Sequence, residues 1–554
     1  MSCLPYSSIT LKSVNIEQGN FSVLNDMNDL ITSGVVDLIK SDDRLQKYCK
    51  SVLVEFPYYD REYLSTYYTF FSRKFRSYPK ECCRLLFFST KLQTPDNASN
   101  EAEDVLLQIN NENFLGFATI IPTNGKTQIS RVVVKAAPVA EDDSIKGYNL
   151  INYRTKVHCL GKELIVNGFE SLKQVGPCVC GHAAFWGIAS HHSQWRGYSS
   201  MSAGEIDKIL RQDVANGVTT GVTADQLSQL ISKSGSMPIM RSINSIGQQN
   251  LLYEIFAYLD SRIPVLLLFE DALHVVVAVG IDKFSISQND VDREALPLLK
   301  EDADDNLRAS APSDIELMDQ KKCDIITERL FADRVKDIII IDDNNFSYTK
   351  LKFTAKRCQS VSDSAEVVCG GHERRELTML GISGFIVPMY PRINLQYRHV
   401  IALLNRLLLE SIHRSQSHTF AASDNLDIEE KLILHLSMDK LCDIRVFLTS
   451  SNSYKEYLID EERHQMGQSC AAELRNMRFR IMPKMIWCAE FLDRKDFHVL
   501  GNILFDTTSN ADEGYERMIV CTLGKYGACD VKQLMECSDI KIDNLCIDRF
   551  QYRE

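Results

Sequence analysis

In the segment KQVGPCVCGHAA, Lys173 to Ala184, Cys180 stands directly before a small-and-apolar helical pattern that runs from Gly181 to His192. A sulfur at a helix N-terminus meets unpaired N–H groups and the positive end of the helix dipole, which favour the thiolate, the nucleophilic form. Gln174 lies six positions earlier, across the Gly176-Pro177 turn. That separation lets its side-chain amide fold back beside the sulfur and join the Cys180 backbone N–H in holding an oxyanion. A thiol nucleophile needs a proton acceptor, and His274 opens the strand pattern HVVVAVGID directly after the strand Pro264 to Phe269. A histidine at a strand start reaches a cleft more easily than one in mid-strand. The imidazole in turn needs an orienting acceptor, and Asp342 or Asp343 closes the next strong strand, DIIIIDD. Side chains alternate along a strand, so only one of the adjacent aspartates is expected to point at His274, with Asp342, Asp343 and Asn344 all open.

Positioning these groups takes a helix and a set of strands. From about Val157, Cys159 to Val166 reads as a strand, Asn250 to Asp260 (NLLYEIFAYLD) as an amphipathic helix, and Pro264 to Phe269 and His274 to Ile281 as strands. Between His274 and Asp337 lies an acidic insertion at about 287–332, and within it, from Ser287 to Asp319, aspartates and glutamates outweigh Arg293, Lys300 and Arg308. The whole chain has 554 residues, which at about 150 per domain gives roughly three to four domains. We expect an α+β, multidomain protein. Residues 1–150 form an N-terminal α+β domain, with aromatics at helical spacing in Arg61 to Phe75 and strands at Asn113 to Ile121 and Gln128 to Lys135. Residues 151–358 carry the candidate chemistry. Residues 359–554 form a C-terminal α+β domain with a strand at Gly384 to Val387, a long amphipathic helix at Tyr397 to Ser415 and no catalytic motif.

Gln174, Cys180-Gly181, Ala183, the leucine-rich lead-in with Pro264, His274-Val-Val-Val with Gly280-Ile281-Asp282, and the strand ending at Asp342 together resemble the papain-like cysteine peptidases. They are most similar to the branch that includes the double-glycine leader peptidases of bacterial bacteriocin exporters. The resemblance covers about Val157 to Leu351, a third of the chain. It implies a central papain-like domain in which the helix carrying the nucleophile packs on an antiparallel sheet. The implied roles are Gln174 as oxyanion glutamine, Cys180 as nucleophile, His274 as general base and Asp342 as orienting acid. Two departures stand out: 68 positions separate His274 from Asp342, and His182 occupies a place where a small or apolar residue is expected.

The expected activity is that of a cysteine hydrolase, a peptidase cleaving peptide or isopeptide bonds in a protein or peptide substrate, with no metal or organic cofactor required. The alternatives are an acyltransferase or amidase using the same groups, and an inactive papain-like scaffold that binds a protein partner. Zinc is a rival for the same residues, because Cys178, Cys180 and His182 alternate as C-x-C-x-H and Cys369 and His372 form a second close pair, although neither spacing is a usual zinc pattern. His191-His192 reads as the exposed end of the Cys180 helix, Trp186 and Trp195 as core and cleft wall, and Lys74, Arg76, Lys80 and Arg84 near Tyr78 as a solvated helix face.

Composition narrows the classes. With 45% hydrophobic residues the chain has material for real cores, and a formal net charge of -12 argues against nucleic acid or an anionic membrane as a partner held through the overall field. The longest apolar runs, such as Val275 to Ile281, are strand-length and far short of the roughly 18 residues a membrane span needs. Seventeen cysteines without an export signal suit reduced thiols in a cytoplasm.

Overall fold

The computed structural model describes residues 9–92, 101–123, 128–136, 149–173, 179–212, 221–270, 272–283, 335–352, 366–369, 373–404, 442–464, 478–493, 499–508, 519–524 and 527–529. They form two compact units. The first comprises described residues of Met1–Ile246, Arg262–Lys283 and Lys336–Met389, the second those of Gly247–Ser261, Phe284–Val335 and Tyr390–Glu554. The architecture is α+β with several antiparallel sheets.

The first unit opens with strands β1 (Thr10–Asn15), β2 (Ser51–Tyr58), β3 (Cys82–Phe88), β4 (Phe114–Ile120) and β5 (Ile129–Val134), and helices α1 (Ser33–Lys40), α2 (Asp43–Tyr48), α3 (Arg61–Thr69) and α4 (Glu101–Gln108). All seven residues of β3 are buried, because both faces of this sheet are covered. Alternation divides the sheet between two cores: Val52, Val54, Leu85 and Phe87 pack with Val35, Val36 and Ile39 of α1, while Leu53, Leu86, Phe88 and Phe117 face Val105 of α4.

Next come β6 (Asn149–Leu150), the hairpin β7 (Tyr153–Cys159) and β8 (Lys162–Gly168), and β9 (Ser171–Leu172), which pairs with β5 and closes the first sheet in the order β1-β2-β3-β4-β5-β9. The single strand expected over Cys159 to Val166 is therefore two. Leu160 and Gly161 take positive φ values of 44° and 88° and reverse the chain.

Helices α5 (Cys180–Arg196), α6 (Ala203–Gln212) and α7 (Ala224–Lys233) lead into a second sheet. Its members are β10 (Met237–Ser242), β11 (Val265–Phe269), β12 (His274–Lys283), β13 (Val335–Ile341), β14 (Tyr348–Lys352) and, beyond the short ribbon β15 (Glu366–Cys369) and β16 (Glu373–Glu376), β17 (Gly384–Met389). The order is β10-β17-β11-β12-β13-β14, with β6 paired to β12. Thus β17, expected to belong with the C-terminal region, lies inside the sheet that carries His274, between β10 and β11. The helix α5 packs on β12 and β9, which brings both sheets to one helix.

The helix expected at Asn250 to Asp260 forms. After the short α8 (Ile243–Ile246), α9 (Gln248–Asp260) belongs to the second unit and packs on β18 (Cys442–Ser450). There β18, β19 (Met485–Asp493), β20 (Val499–Asp506), β21 (Ile519–Gly524) and β22 (Gly527–Cys529) form an antiparallel meander. Arg445 of β18 holds Asp260 of α9 and Glu490 of β19. Residues 397–404 are helical, and the remainder of the helix expected to Ser415 lies outside the described residues, as do the acidic insertion and His372. No described helix is long and apolar enough to cross a membrane.

Two surface expectations are corrected. The Lys74 to Arg84 run is no helix face, because α3 ends at Thr69. Lys74 and Lys80 stack on the rings of Phe70, Tyr67 and Tyr68, and Arg84 is buried in β3 against Glu55. His191 and His192 are buried, at 3% and 0% exposure. The helix needs their rings as packing: His191 lies against Phe169, Tyr153 and Trp195, and His192 Nδ1 meets Ser236 Oγ at 3.1 Å.

Burial, with the Arg196 charge beside it, pushes His191 down to about 3 and lowers His192 as well. An unfolded histidine takes up its proton near pH 6.5, so the fold should lose about 1.4 kcal/mol per histidine for each pH unit below roughly 6.5. His191→Phe keeps the aromatic packing and removes Nδ1, which has no hydrogen-bond partner among the described residues. We expect this variant to be flatter in urea-unfolding stability between pH 7 and 5 than the wild type; parallel curves would contradict the assignment.

Candidate active site

Cys180 is the first residue of α5, following Val179, whose φ of -102° and ψ of 175° are extended. The helix start is fixed from within. His182 Nδ1 accepts the Val179 N–H at 3.3 Å, and its Nε2 lies 3.8 Å from Asp207 Oδ1 of α6. His182 is thus a buried cap, which explains an imidazole at a position where the sequence suggests something small. Gly181 has a steric reason: a Cβ there would lie 2.8 Å from Val222 Cβ. Cys180 itself is partly exposed.

His274 begins β12, paired with Phe269 across the connection from β11, and is 5% exposed. Its Nε2 meets Asp342 Oδ1 at 3.0 Å, and the Cys180 side chain is the other hydrogen-bonding neighbour of this ring. Burial works against the charged ring. The hydrogen bonds to Asp342 and Cys180 and the charges of Asp342 and Asp343 outweigh it, and His274 is raised to about 11. The imidazole is therefore cationic at neutral pH.

Asp342 and Asp343 lie just beyond β13, which ends at Ile341. Strand alternation therefore does not apply to them, and both face the histidine, Asp343 Oδ1 lying 3.7 Å from His274 Nε2. Asp342 makes the hydrogen bond. Its Oδ1 also accepts the Asn344 N–H at 3.0 Å and Asn344 Nδ2 at 3.3 Å, while Oδ2 accepts Asn345 Nδ2 at 3.3 Å. Burial raises this carboxyl, but the hydrogen bond and charge of His274 and the Asn344 N–H bring it below the usual range. Asn344, open as the orienting residue from sequence, holds the acid instead of the imidazole.

The structure thus brings Cys180, His274 and Asp342 together. Gln174 and Cys178 lie outside the described residues. Directly before Gln174, Lys173 is fully buried and donates from Nζ to the carbonyls of Asp342, at 3.1 Å, and Asn345. Sequence reasoning missed it, since lysine is ordinarily a surface residue. Trp186 is core, but Trp195 is 54% exposed and, fifteen residues along α5, about 22 Å from Cys180, too far to wall a cleft there.

Among the described residues, His274, Asp342 and Asp343 offer three donor atoms within 4.8 Å of one another, a set that a divalent cation could use. Lys173 already places a positive charge beside these carboxylates. Of the C-x-C-x-H residues, Cys180 is hydrogen-bonded to His274 and His182 lies between the Val179 N–H and Asp207, while Cys178 lies outside the described residues. No family model matches this chain, and no curated protein or solved structure does so either.

A cation held to about pH 11 in place of the ordinary 6.5 stabilises the fold fully below about pH 6.5, and this contribution is lost as pH rises toward 11. In histidine-selective NMR we expect the His274 ring to stay protonated from pH 6 to 9. Asp342→Asn should lower its titration by roughly one to three pH units. A wild-type ring that titrates near pH 6.5 would contradict this geometry.

Proposed function

We propose that this protein is a cysteine hydrolase of papain-like type, acting on a peptide or isopeptide bond. The observation that carries the reading is the arrangement Cys180–His274–Asp342, in which one imidazole is hydrogen-bonded to both a helix-terminal thiol and a buried carboxylate. A cationic imidazole beside a thiol supports thiolate attack and then serves as the proton source for the leaving amine. Cys180, as the thiolate paired with that imidazolium, would attack the carbonyl carbon, forming a C–S bond as the carbonyl electrons move to oxygen. Collapse of that intermediate breaks the C–N bond as His274 delivers its proton to nitrogen. Water, deprotonated by the now neutral His274, then attacks the thioester carbonyl; the C–S bond breaks, the acid leaves, and the thiolate–imidazolium pair is restored. The backbone N–H groups at the start of α5 are suited to hold the oxyanion, and Gln174 is proposed as the second donor.

The order of these residues, the partial exposure of Cys180 and the full burial of Asp342 support this reading. A cytoplasmic site of action and a protein or peptide partner belong to the same proposal. The amount of chain outside the site favours a substrate recognised through further surfaces.

The test is the rate of iodoacetamide labelling at Cys180, read by peptide mass spectrometry at pH 7. We expect His274→Ala to slow labelling by about tenfold or more, and Cys180→Ala to retain an uncleaved protein partner from a lysate that the wild type releases. Equal labelling rates in wild type and His274→Ala would remove the hydrolase reading and leave a scaffold.

A further inference from the structure

A fully buried lysine has to be explained by what it holds. Lys173 sits at the end of β9, where its backbone N–H continues the first sheet by donating to the Ser130 carbonyl at 2.7 Å. Its side chain crosses to the turn after β13, where Nζ donates to the carbonyls at the two ends of the turn that begins with the candidate acid, those of Asp342 and Asn345. The same turn is held from other sides. Phe346 is buried in the core of the first sheet against Phe87, and Arg44 bonds Ser347 Oγ and covers the Tyr348 ring at 4.4 Å. None of those contacts reaches the backbone of Asp342 itself. Lys173 does.

We propose that Lys173 is the positioning residue of this site, fixing the 342–345 turn so that Asp342 stays in hydrogen-bonding register with His274. The inference rests on the hydrolase reading only for its catalytic consequence. An ammonium suits the task because it carries three donors, and its charge offsets the carboxylates crowded there. The groups facing it are Asp343, Asp342 and Asp42, the last also bonded to Arg44. Those facing His274 are Asp342 and Asp343 from the turn and Cys180 from α5. Burial lowers Lys173 to about 8 against these carboxylates, which still leaves it charged at neutral pH.

The experiment compares wild type with Lys173→Met, which keeps the length of the chain and removes every donor. One readout is the downfield ring N–H signal of His274, present when Nε2–H is held by Asp342; the other is Cys180 labelling at pH 7. We expect Lys173→Met to lose the ring signal and to label about tenfold more slowly, near the His274→Ala rate, while near-UV circular dichroism stays native. Retention of the ring signal with labelling within about twofold of wild type would overturn the proposal. Should Lys173→Met fail to fold, the substitution is repeated with Asp343→Asn, which removes one carboxylate together with one cation, and is compared with Asp343→Asn alone. Folding with loss of the ring signal supports the proposal; failure to fold in both backgrounds would assign Lys173 to the fold as a whole and overturn it. A wild-type Cys180 that labels like an ordinary thiol would sink the hydrolase reading, while the ring signal would still decide the role of Lys173.

Discussion

An imidazole buried to 5% exposure cannot remain cationic unless a carboxylate stays beside it, and the 3.0 Å contact between His274 and Asp342 meets that requirement. Neither group is stable there alone. Removing the carboxylate would strand a buried cation, and removing the imidazole would strand a buried anion. The pair is therefore a constraint on everything around it: the turn must present Asp342, the strand must begin at His274, and the helix must bring its thiol to the same ring. Four hydrogen bonds to Asp342, from His274, the Asn344 backbone and the Asn344 and Asn345 side chains, keep this fully buried acid ionised.

The fold meets the constraint by making two sheets converge. The second sheet supplies β12 and β13, adjacent in space although far apart in sequence. The first sheet supplies β9 with Lys173, and its core takes in Phe346 from the acid turn. Consequently the region before residue 150 does more than flank the candidate site. Its strands form a wall against which the acid turn is seated, and α5 rests on strands of both sheets.

Local pattern made much of this legible. The apolar run after Cys180, the hydrophobic strands on either side of the β11–β12 connection and the DIIIIDD segment each carry their own periodicity, so α5, β11, β12 and β13 follow from the residues themselves. What failed to show were features set by distant partners. His191 and His192 read as exposed because histidine is amphipathic, and their burial depends on Phe169, Tyr153 and Ser236. Strand alternation does not choose between Asp342 and Asp343, because β13 ends at Ile341, before both. The membership of β17 in the His274 sheet is a matter of long-range pairing, invisible to any local window. Lys173 illustrates the same limit, because nothing in its neighbours marks it as buried.

The central claim is that Cys180 is a nucleophile whose reactivity depends on His274 and on a site built to stabilise an oxyanion. A peptidyl acyloxymethyl ketone tests this most directly, since such a probe needs a thiolate, an acid and a bound carbonyl oxygen together. Intact-mass and peptide mass spectrometry of the folded protein should show one adduct per chain, on Cys180, absent from His274→Ala and from the urea-unfolded wild type. No adduct across a panel of peptide sequences, or adducts spread over several cysteines and unaffected by His274→Ala, would contradict the account.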